Sequence, residues 1–555
     1  MSSESFGNIA AYLPAMAKRQ PDTVAVYCPV GRFSPQQRYS RYTYAELDCQ
    51  SNRMAAVLAH LGIGRGVRTV LMVTPSLEFF ALTFALFKVG AVPVLVDPGM
   101  GTKNLKTCLA EAQPTAFIGI PKAHLARRLL GWARSTLTVK LTTGPRLWFD
   151  EHSLPNLLAG TDKQVTCTPI DPASDETAAI LFTSGSTGVP KGVVYTHQNF
   201  IAQVQALKDI YQIQPGEIDL PTFPLFALFA PALGMTAVIP QMDFARPGEV
   251  DPQKIISAIK RFEVTTMFGS PALIRRVAVF GNQHGVTLPT LKRAISAGAP
   301  VAATTLVQFS RLLTEDARIF TPYGATEALP VCSIDSATIL GETRQLTDQG
   351  HGVCVGRPVP GVEVGVIPIC DEAIDPFDNE SLLAVGRIGE IIVTGQQVTR
   401  SYFNRAESTR LAKIADPANQ RFFHRMGDLG YRDVMGRIWF CGRKSHRVIT
   451  EQETLFTIPC EGVFNTHPQV FRTALVGVES GGKRVPLICV ELEAGIPRAQ
   501  HQQIILDLRD IAAKFPHTTQ IERFLIHPAF PVDIRHNAKI FREKLAVWAQ
   551  QQLTA

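Results

Sequence analysis

The densest concentration of chemistry-bearing residues in this chain is Leu181-Phe182-Thr183-Ser184-Gly185-Ser186-Thr187-Gly188-Val189-Pro190-Lys191-Gly192. A short apolar run leads into a loop of hydroxyls and glycines that closes on one lysine. Glycine lets the backbone come close to an anion, hydroxyl and N–H groups donate to it, and lysine adds a point charge. The pattern reads as a phosphate cradle. It does not fit GxxxxGK[ST], so it is not a Walker A loop; a flexible Ser/Gly turn is the plainer alternative. Thiol and metal motifs find less support. The ten cysteines are scattered, with the closest pair (Cys354 and Cys370) sixteen positions apart, and no CxxC or HExxH spacing occurs.

The stretch TSGSTGVPKG resembles the phosphate loop of the adenylate-forming superfamily, which includes acyl-CoA synthetases, peptide-synthetase adenylation domains and luciferases. Further stretches resemble that superfamily's motifs in the same order. They are Ser296-Ala297-Gly298-Ala299-Pro300, Tyr323-Gly324-Ala325-Thr326-Glu327, Gly386-Arg387-Ile388-Gly389-Glu390, Gly427-Asp428, Gly442-Arg443 and Asn537-Ala538-Lys539-Ile540-Phe541-Arg542. The resemblance spans roughly Tyr42 to Leu545. It implies ATP and Mg²⁺ as cofactors, with Thr183, Ser184, Gly185, Ser186, Thr187, Gly188 and Lys191 around phosphate. Gly298, Ala299, Pro300, Tyr323 and Gly324 would form the adenine pocket, and Asp428 and Arg443 would meet the ribose side of the nucleotide. Thr326, Glu327 and Lys539 would be the catalytic set, with Glu327 also the metal ligand.

Each assignment suits its side chain. A flat aromatic face stacks on a base, and a carboxylate accepts from two ribose hydroxyls. Mg²⁺ prefers carboxylate and phosphate oxygens. Drawing a carboxylate up to the α-phosphate opposes like charges, so a bridging lysine lowers the barrier. Taken singly, these residues also read as a core tyrosine, a surface glutamate, a turn aspartate and a solvated lysine. The lysine motif departs from its usual SGKIxR in carrying Asn537-Ala538.

Larger departures bear on the second half-reaction. Thioester-forming relatives present a glycine-containing segment, IKxxGxxIxPxEIE, to the pantetheine tunnel. Here Val448–Glu461 keeps Pro459 and Glu461, has Ile449 for the lysine, runs two residues longer, and contains no glycine between Gly442 and Gly462. The hinge position is Ser445, and Pro224-Leu225-Phe226 is followed by Ala227 where an aromatic or histidine is usual. These losses argue against CoA. Within the superfamily, FTSGSTGVPKGV and PLFALFAPALG resemble the β-lactone-forming members of bacterial long-chain olefin biosynthesis. That resemblance implies adenylation of a long-chain 2-alkyl-3-hydroxy fatty acid and closure of its own hydroxyl on the activated carbonyl, aided by a high effective molarity. Phe223, Phe226, Ala227 and Phe229, with Leu228 and Leu233, either line a groove for alkyl chains or fill the core. His197, beside the phosphate loop, is a candidate base or a packing residue. A long-chain acyl-CoA ligase, a fatty acyl-AMP ligase and a nucleotide-binding scaffold are the rival functions.

Positioning these residues takes a large α/β framework. Val67–Val73, Ala91–Val96, Thr115–Ile120, Ala178–Phe182, Val264–Phe268 and Ala294–Ser296 read as short strands, and Leu77–Val89 as a helix. Strands alternating with helices imply βαβ units and parallel sheets. Ile388–Thr394 and Arg437–Cys441 read as later strands of hairpin character, and Thr473–Val478, Leu487–Leu492 and a helix at Ala499–Lys514 as a separate α+β unit. The expected class is therefore α/β: an N-terminal AMP-binding body at 1–442 with mostly parallel sheets, and a small mobile α+β lid at 443–555 hinged near Ser445. No internal sequence repeat is found.

With 46% hydrophobic and 19% charged residues, the 555-residue chain is not disordered. A net charge of +7 on so large a surface gives little reason to expect nucleic acid. Leu220–Met242 carries no charge, long enough for a membrane span, but Pro221, Pro224, Pro231 and Pro240 oppose one helix, so a buried pocket wall is expected. No signal peptide is read at Met1–Ala10, and a cytoplasmic location is expected, with other olefin-pathway enzymes as partners.

Overall fold

The computed structural model describes residues 6–31, 38–182, 190–532 and 539–554. Two seven-stranded sheets carry the body. In one, the spatial order is His152–Ser153, Val139–Thr142, Ala116–Gly119, Arg68–Met72, Val92–Leu95, Thr177–Phe182, Gly192–Thr196. In the other it is Arg318–Phe320, Arg293–Ile295, Thr266–Phe268, Ile218–Pro221, Thr236–Val238, Val24–Val30, Arg38–Thr43. Each sheet places five parallel strands in the chain order 5-4-3-1-2, adds a sixth parallel strand, and ends on one antiparallel edge strand. The repeat is topological, with no counterpart in the sequence. Its logic is that parallel neighbours need long crossovers, which the intervening helices supply.

The strands read from sequence fall within these sheets, with ends shifted by a residue or so. The helix expected at Leu77–Val89 forms at Leu77–Lys88, started by Ser76, whose hydroxyl accepts from the Phe79 N–H. Every residue of it but Glu78 is buried, which explains a composition apolar on nearly all faces. Leu220–Met242 closes one strand, makes the single-turn helices Pro224–Ala227 and Phe229–Ala232, and opens the strand Thr236–Val238. Among the described residues no helix is long and apolar enough to cross a membrane.

A third, eight-stranded sheet is antiparallel throughout. Its path is Tyr323–Ala325, Ala328–Ser333, Val353–Pro358, Ile438–Arg443, Arg421–Arg432, Gly389–Gly395, Val362–Ile367, with Lys413–Asp416 paired to Arg421–Arg432. Thus "mostly parallel" holds for two of three sheets.

Beyond Arg447 come a hairpin (Val448–Ile449 with Thr454–Leu455) and a three-stranded sheet, Val470–Ser480, Lys483–Leu492 and Arg523–Ile526. Helices Thr457–Phe464, His501–Ala512 and Arg542–Thr554 cover them. Two apolar clusters here draw their buried members only from residues 448–549. Gly442, at the junction, has φ +124°, and a Cβ there would stand 2.2 Å from Thr457 Oγ1. Only glycine lets the last body strand pass that closely.

Candidate active site

A cavity of about 1300 Å³ opens where the three sheets meet the C-terminal segment. Lys191, Phe223, Phe226, Phe229, Gly298, Gly324, Thr326, Glu327, Arg443, Ser445 and Lys539, far apart in sequence, all line it. The phosphate-loop residues Thr183, Ser184, Gly185, Ser186, Thr187 and Gly188 lie outside the described residues. Both ends of that loop are fixed: Phe182 ends one strand and Gly192 begins its antiparallel partner.

At one wall, Asp428 on Arg421–Arg432 stands directly across the ladder from Arg443 on Ile438–Arg443. Tyr323 donates its hydroxyl to Asp428 Oδ2 at 2.6 Å. Arg443 NH1 lies 3.1 Å from Oδ1, but off the hydrogen-bond direction, so buried Oδ1 keeps no hydrogen-bond donor among the described residues. Burial pushes the Asp428 carboxyl above its ordinary range, while Arg443 pulls it back. The same ion pair raises Arg443. An orphaned, buried acceptor costs about 1–3 kcal/mol until a donor arrives. A ribose hydroxyl is such a donor.

A second cluster surrounds Glu327. Tyr402 donates to Glu327 Oε1 at 2.7 Å, and Thr399 holds the Glu327 carbonyl through its N–H (2.9 Å) and hydroxyl (3.1 Å). The Tyr195 hydroxyl donates to the Thr326 carbonyl. Tyr402 is placed by backbone bonds from Val194 N–H to the Ser401 carbonyl and from Phe403 N–H to the Gly192 carbonyl, which bind its segment to the exit strand of the phosphate loop. Lys191 Nζ sits 5.0 Å over the Tyr402 ring. No described residue bonds Glu327 Oε2, and among the described residues no group of three or more His, Cys, Asp or Glu could hold a metal ion. A lone carboxylate suits Mg²⁺, which keeps several waters and takes the rest of its oxygens from phosphate.

The cationic side of this cluster is depressed. Burial brings Lys413, whose Nζ donates to the Thr399 carbonyl, down to about 7, against the pull of Glu327. Burial and the Lys413 charge hold His424 neutral, its Nδ1 3.2 Å from the Ala412 carbonyl. His424 also lines the cavity.

Lys539 enters from the C-terminal segment, close enough for its charge to act on Asp428. Three residues on, Arg542 makes a bidentate pair with buried Glu461 (2.6 and 2.7 Å), anchoring the lysine segment to helix Thr457–Phe464. On either side of Ser445, Lys444 Nζ reaches Glu390 at 3.3 Å, and Arg447 reaches Asp371 at 2.7 Å.

The remaining walls are apolar. Phe226 packs edge-on to Phe268 at 4.5 Å between ring centres and lies 5.2 Å from Phe223. The buried helix Leu77–Lys88 contributes Phe79, Thr83, Phe84 and Phe87, which the motif reading did not single out. Behind Phe226, Phe229 and Phe268 lies a mostly apolar side chamber of about 80 Å³ that includes Asp219. Burial pushes that carboxyl up to about 8.

Five expected site residues, and the candidate base His197, stand back from the cavity. Ala227 is fully buried in the core, because the single-turn helix Pro224–Ala227 turns Phe226 inward and Ala227 away. Ala299 and Pro300 follow the wall residue Gly298 without lining the cavity. Tyr323 and Asp428 sit one layer behind Gly324 and Arg443. His197 is a packing residue: its Nδ1 accepts from Ile9 N–H at 3.3 Å, its ring lies edge-on to Phe87, and burial lowers it to about 4. Tyr195, Thr399, Tyr402, Lys413 and His424 were missed, since their roles come from long-range pairing.

The Asp428–Arg443 pair stands at the wall of a large, mostly apolar cavity that Lys191, Glu327 and Lys539 also line, the arrangement of a nucleotide-using enzyme. The chain belongs to the AMP-binding enzyme family, whose sequence profile matches residues 13–403. It is 52% identical over 553 residues, 98% of each chain, to the olefin beta-lactone synthetase of Xanthomonas campestris pv. campestris. It is 51% identical over 554 residues, again 98% of each chain, to the olefin beta-lactone synthetase of Stenotrophomonas maltophilia. The fold is similar to that of the amide bond synthetase McbA from Marinactinospora thermotolerans, with a TM-score of 0.80 at 22% identity over 98% and 99% of the two chains.

Proposed function

We propose that this chain adenylates a long-chain 2-alkyl-3-hydroxy fatty acid with ATP and closes it to a β-lactone, releasing pyrophosphate and then AMP. The observation that carries this reading is the near-full-length identity to two proteins named olefin beta-lactone synthetase. The departures at the hinge agree with it. Within Val448–Glu461 the chain makes a tight turn where Thr450 N–H and hydroxyl both bond the Glu453 carbonyl, at 3.0 and 2.9 Å.

The residues divide the work as follows. Asp428, oriented by Tyr323 and Arg443, takes the ribose hydroxyls, and Gly298 and Gly324 bound the adenine. The loop Thr183–Gly188 and Lys191 hold the phosphates, and Thr326 meets the α-phosphate. Glu327 holds Mg²⁺, which supplies charge neutralisation at the phosphates. Lys539 bridges the acid's carboxylate and the α-phosphate as the C–O–P bond forms and pyrophosphate leaves. In the second step the β-hydroxyl oxygen bonds to the carbonyl carbon, the bond to the phosphate oxygen breaks, AMP departs with its electron pair, and the hydroxyl proton is lost. The tethered hydroxyl needs no second large substrate. Phe223, Phe226 and Phe229 hold alkyl chain, at ~0.8 kcal/mol per buried CH₂. Residues 1–442 act as the body and 443–555 as a lid turning near Ser445. The enzyme works in the cytoplasm beside other olefin-pathway enzymes.

One incubation tests this. ATP, Mg²⁺ and a 2-alkyl-3-hydroxy acid, with and without CoA, are followed by NMR. A β-lactone formed equally in both mixtures supports the reading, and a CoA thioester overturns it.

A further inference from the structure

The stretch from Ala112 to Phe149 contains no acidic residue and six basic ones: Lys122, Arg127, Arg128, Arg134, Lys140 and Arg146. Two are neutralised, Arg127 beside buried Glu151 at 3.6 Å and Lys140 against Asp150 at 2.6 Å. Lys122, Arg128, Arg134 and Arg146 are exposed, with no carboxylate at ion-pair distance among the described residues.

The same surface carries the molecule's main concentration of exposed large apolar side chains. Phe149 is entirely exposed and Leu129 is 75% exposed, joined by Leu125, Leu130 and Leu147. Leu125 and Leu129 lie one turn apart on the outer face of helix Pro121–Leu130, with Arg128 between them. The guanidinium of Arg128 sits 4.9 Å over the Trp148 ring, tying that helix to the loop 144–149. A Cβ on Gly144 would lie 2.9 Å from Pro121, so loop and helix are in close contact and form one patch.

We propose that this patch docks the protein on an anionic lipid bilayer. Leucines, phenylalanine and tryptophan interleaved with positive charge of one sign match a bilayer's headgroup boundary, apolar below and anionic above. Opposite the patch, Ala123 and Ala126 on the inner face of the same helix line the large cavity, and exposed Lys122 lines it too. The helix that carries the patch is thus also part of the cavity wall. Docking stands on the patch alone; only the passage of a long-chain acid from leaflet to cavity rests on the function proposed above.

Co-sedimentation of the full chain with vesicles of phosphatidylcholine, with and without phosphatidylglycerol, tests it. Binding about tenfold stronger to the anionic vesicles, weakening as salt rises, is expected. Leu129→Glu/Phe149→Glu removes binding to both vesicles, and Arg128→Glu/Arg146→Glu removes the preference for the anionic ones. Quenching by brominated lipid should be lost in Trp148→Phe. Unchanged pyrophosphate exchange on a short, water-soluble hydroxy acid shows that the variants are folded. No sedimentation of the wild type with anionic vesicles, or binding indifferent to Leu129→Glu/Phe149→Glu, overturns the proposal, as does a patch that takes a protein and no vesicle. A wild type that forms the lactone but does not bind anionic vesicles sinks this inference alone. Docking with a CoA thioester as product sinks only the proposed function.

Discussion

Tyr402 donates to Glu327 Oε1 at 2.7 Å across 75 positions of sequence, while its ring lies beneath the Lys191 ammonium at 5.0 Å. One tyrosine therefore orients the candidate metal-binding carboxylate and seats the last residue of the phosphate loop. Tyr402→Phe should raise the Mg²⁺ concentration for half-maximal pyrophosphate exchange by about tenfold, since a hydrogen bond to a charged group contributes ~1.5–3 kcal/mol. Titration of Mg²⁺ at saturating ATP measures this. An unshifted midpoint would show that Glu327 holds its place without the hydroxyl.

Asp428 gives a prediction of opposite sign for folding and for binding. Its carboxyl is raised by burial above the ordinary 3.8, so its contribution to stability is complete below that value and is lost as pH rises through the folded-state pKa. Asp428→Asn should therefore raise Tm near neutral pH, with the gain shrinking toward pH ~3. The same variant weakens ATP binding, because a donating NH₂ group replaces one of the two carboxylate oxygens that accept from ribose hydroxyls. Paired melting curves and ATP titrations across pH would show both changes. A variant that melted lower at neutral pH would mean the charge is stabilised in place.

Lys539 and Arg542 share one short segment but should fail differently. Lys539→Ala removes the bridging charge, so acyl-AMP formation falls by orders of magnitude while ATP still binds. Arg542→Ala leaves buried Glu461 unpaired, a loss of about 3–5 kcal/mol, and should lower Tm as well as activity. Pyrophosphate release and melting temperature, read on both variants, separate the roles. Normal pyrophosphate release from Lys539→Ala would remove that lysine from the mechanism.

Legibility followed the range of each interaction. The strands around Val67–Val96 and the helix at Leu77 were readable because local apolar runs dictate them, and Lys191, Thr326, Glu327 and Lys539 because short motifs mark them. The antiparallel third sheet was only half seen: Ile388–Thr394 and Arg437–Cys441 are visible as strands, but their neighbours pair across long gaps. Tyr402 and Lys413 acquire their roles only when the chain brings residues 399–413 against 327 and 192. Ala227 shows the reverse error. A motif placed it at the substrate, while the turn of its own short helix sends it into the core.

Phe226 separates the main cavity from the small chamber that includes Asp219. Phe226→Ala should join the two spaces and shift the preferred acid toward longer chains by a few carbons, each buried CH₂ adding ~0.8 kcal/mol. The gain carries a pH dependence. Asp219 is pushed up to about 8 by burial and is the neutral acid below that pH, a tolerable neighbour for a hydrocarbon. Above about 8 it ionises, draws water into the chamber, and the preference for longer chains should fade. Competition between two chain lengths, measured in the variant on either side of pH 8, decides it. A chain-length preference unmoved by Phe226→Ala would mean the alkyl chain runs elsewhere, along the buried helix Leu77–Lys88.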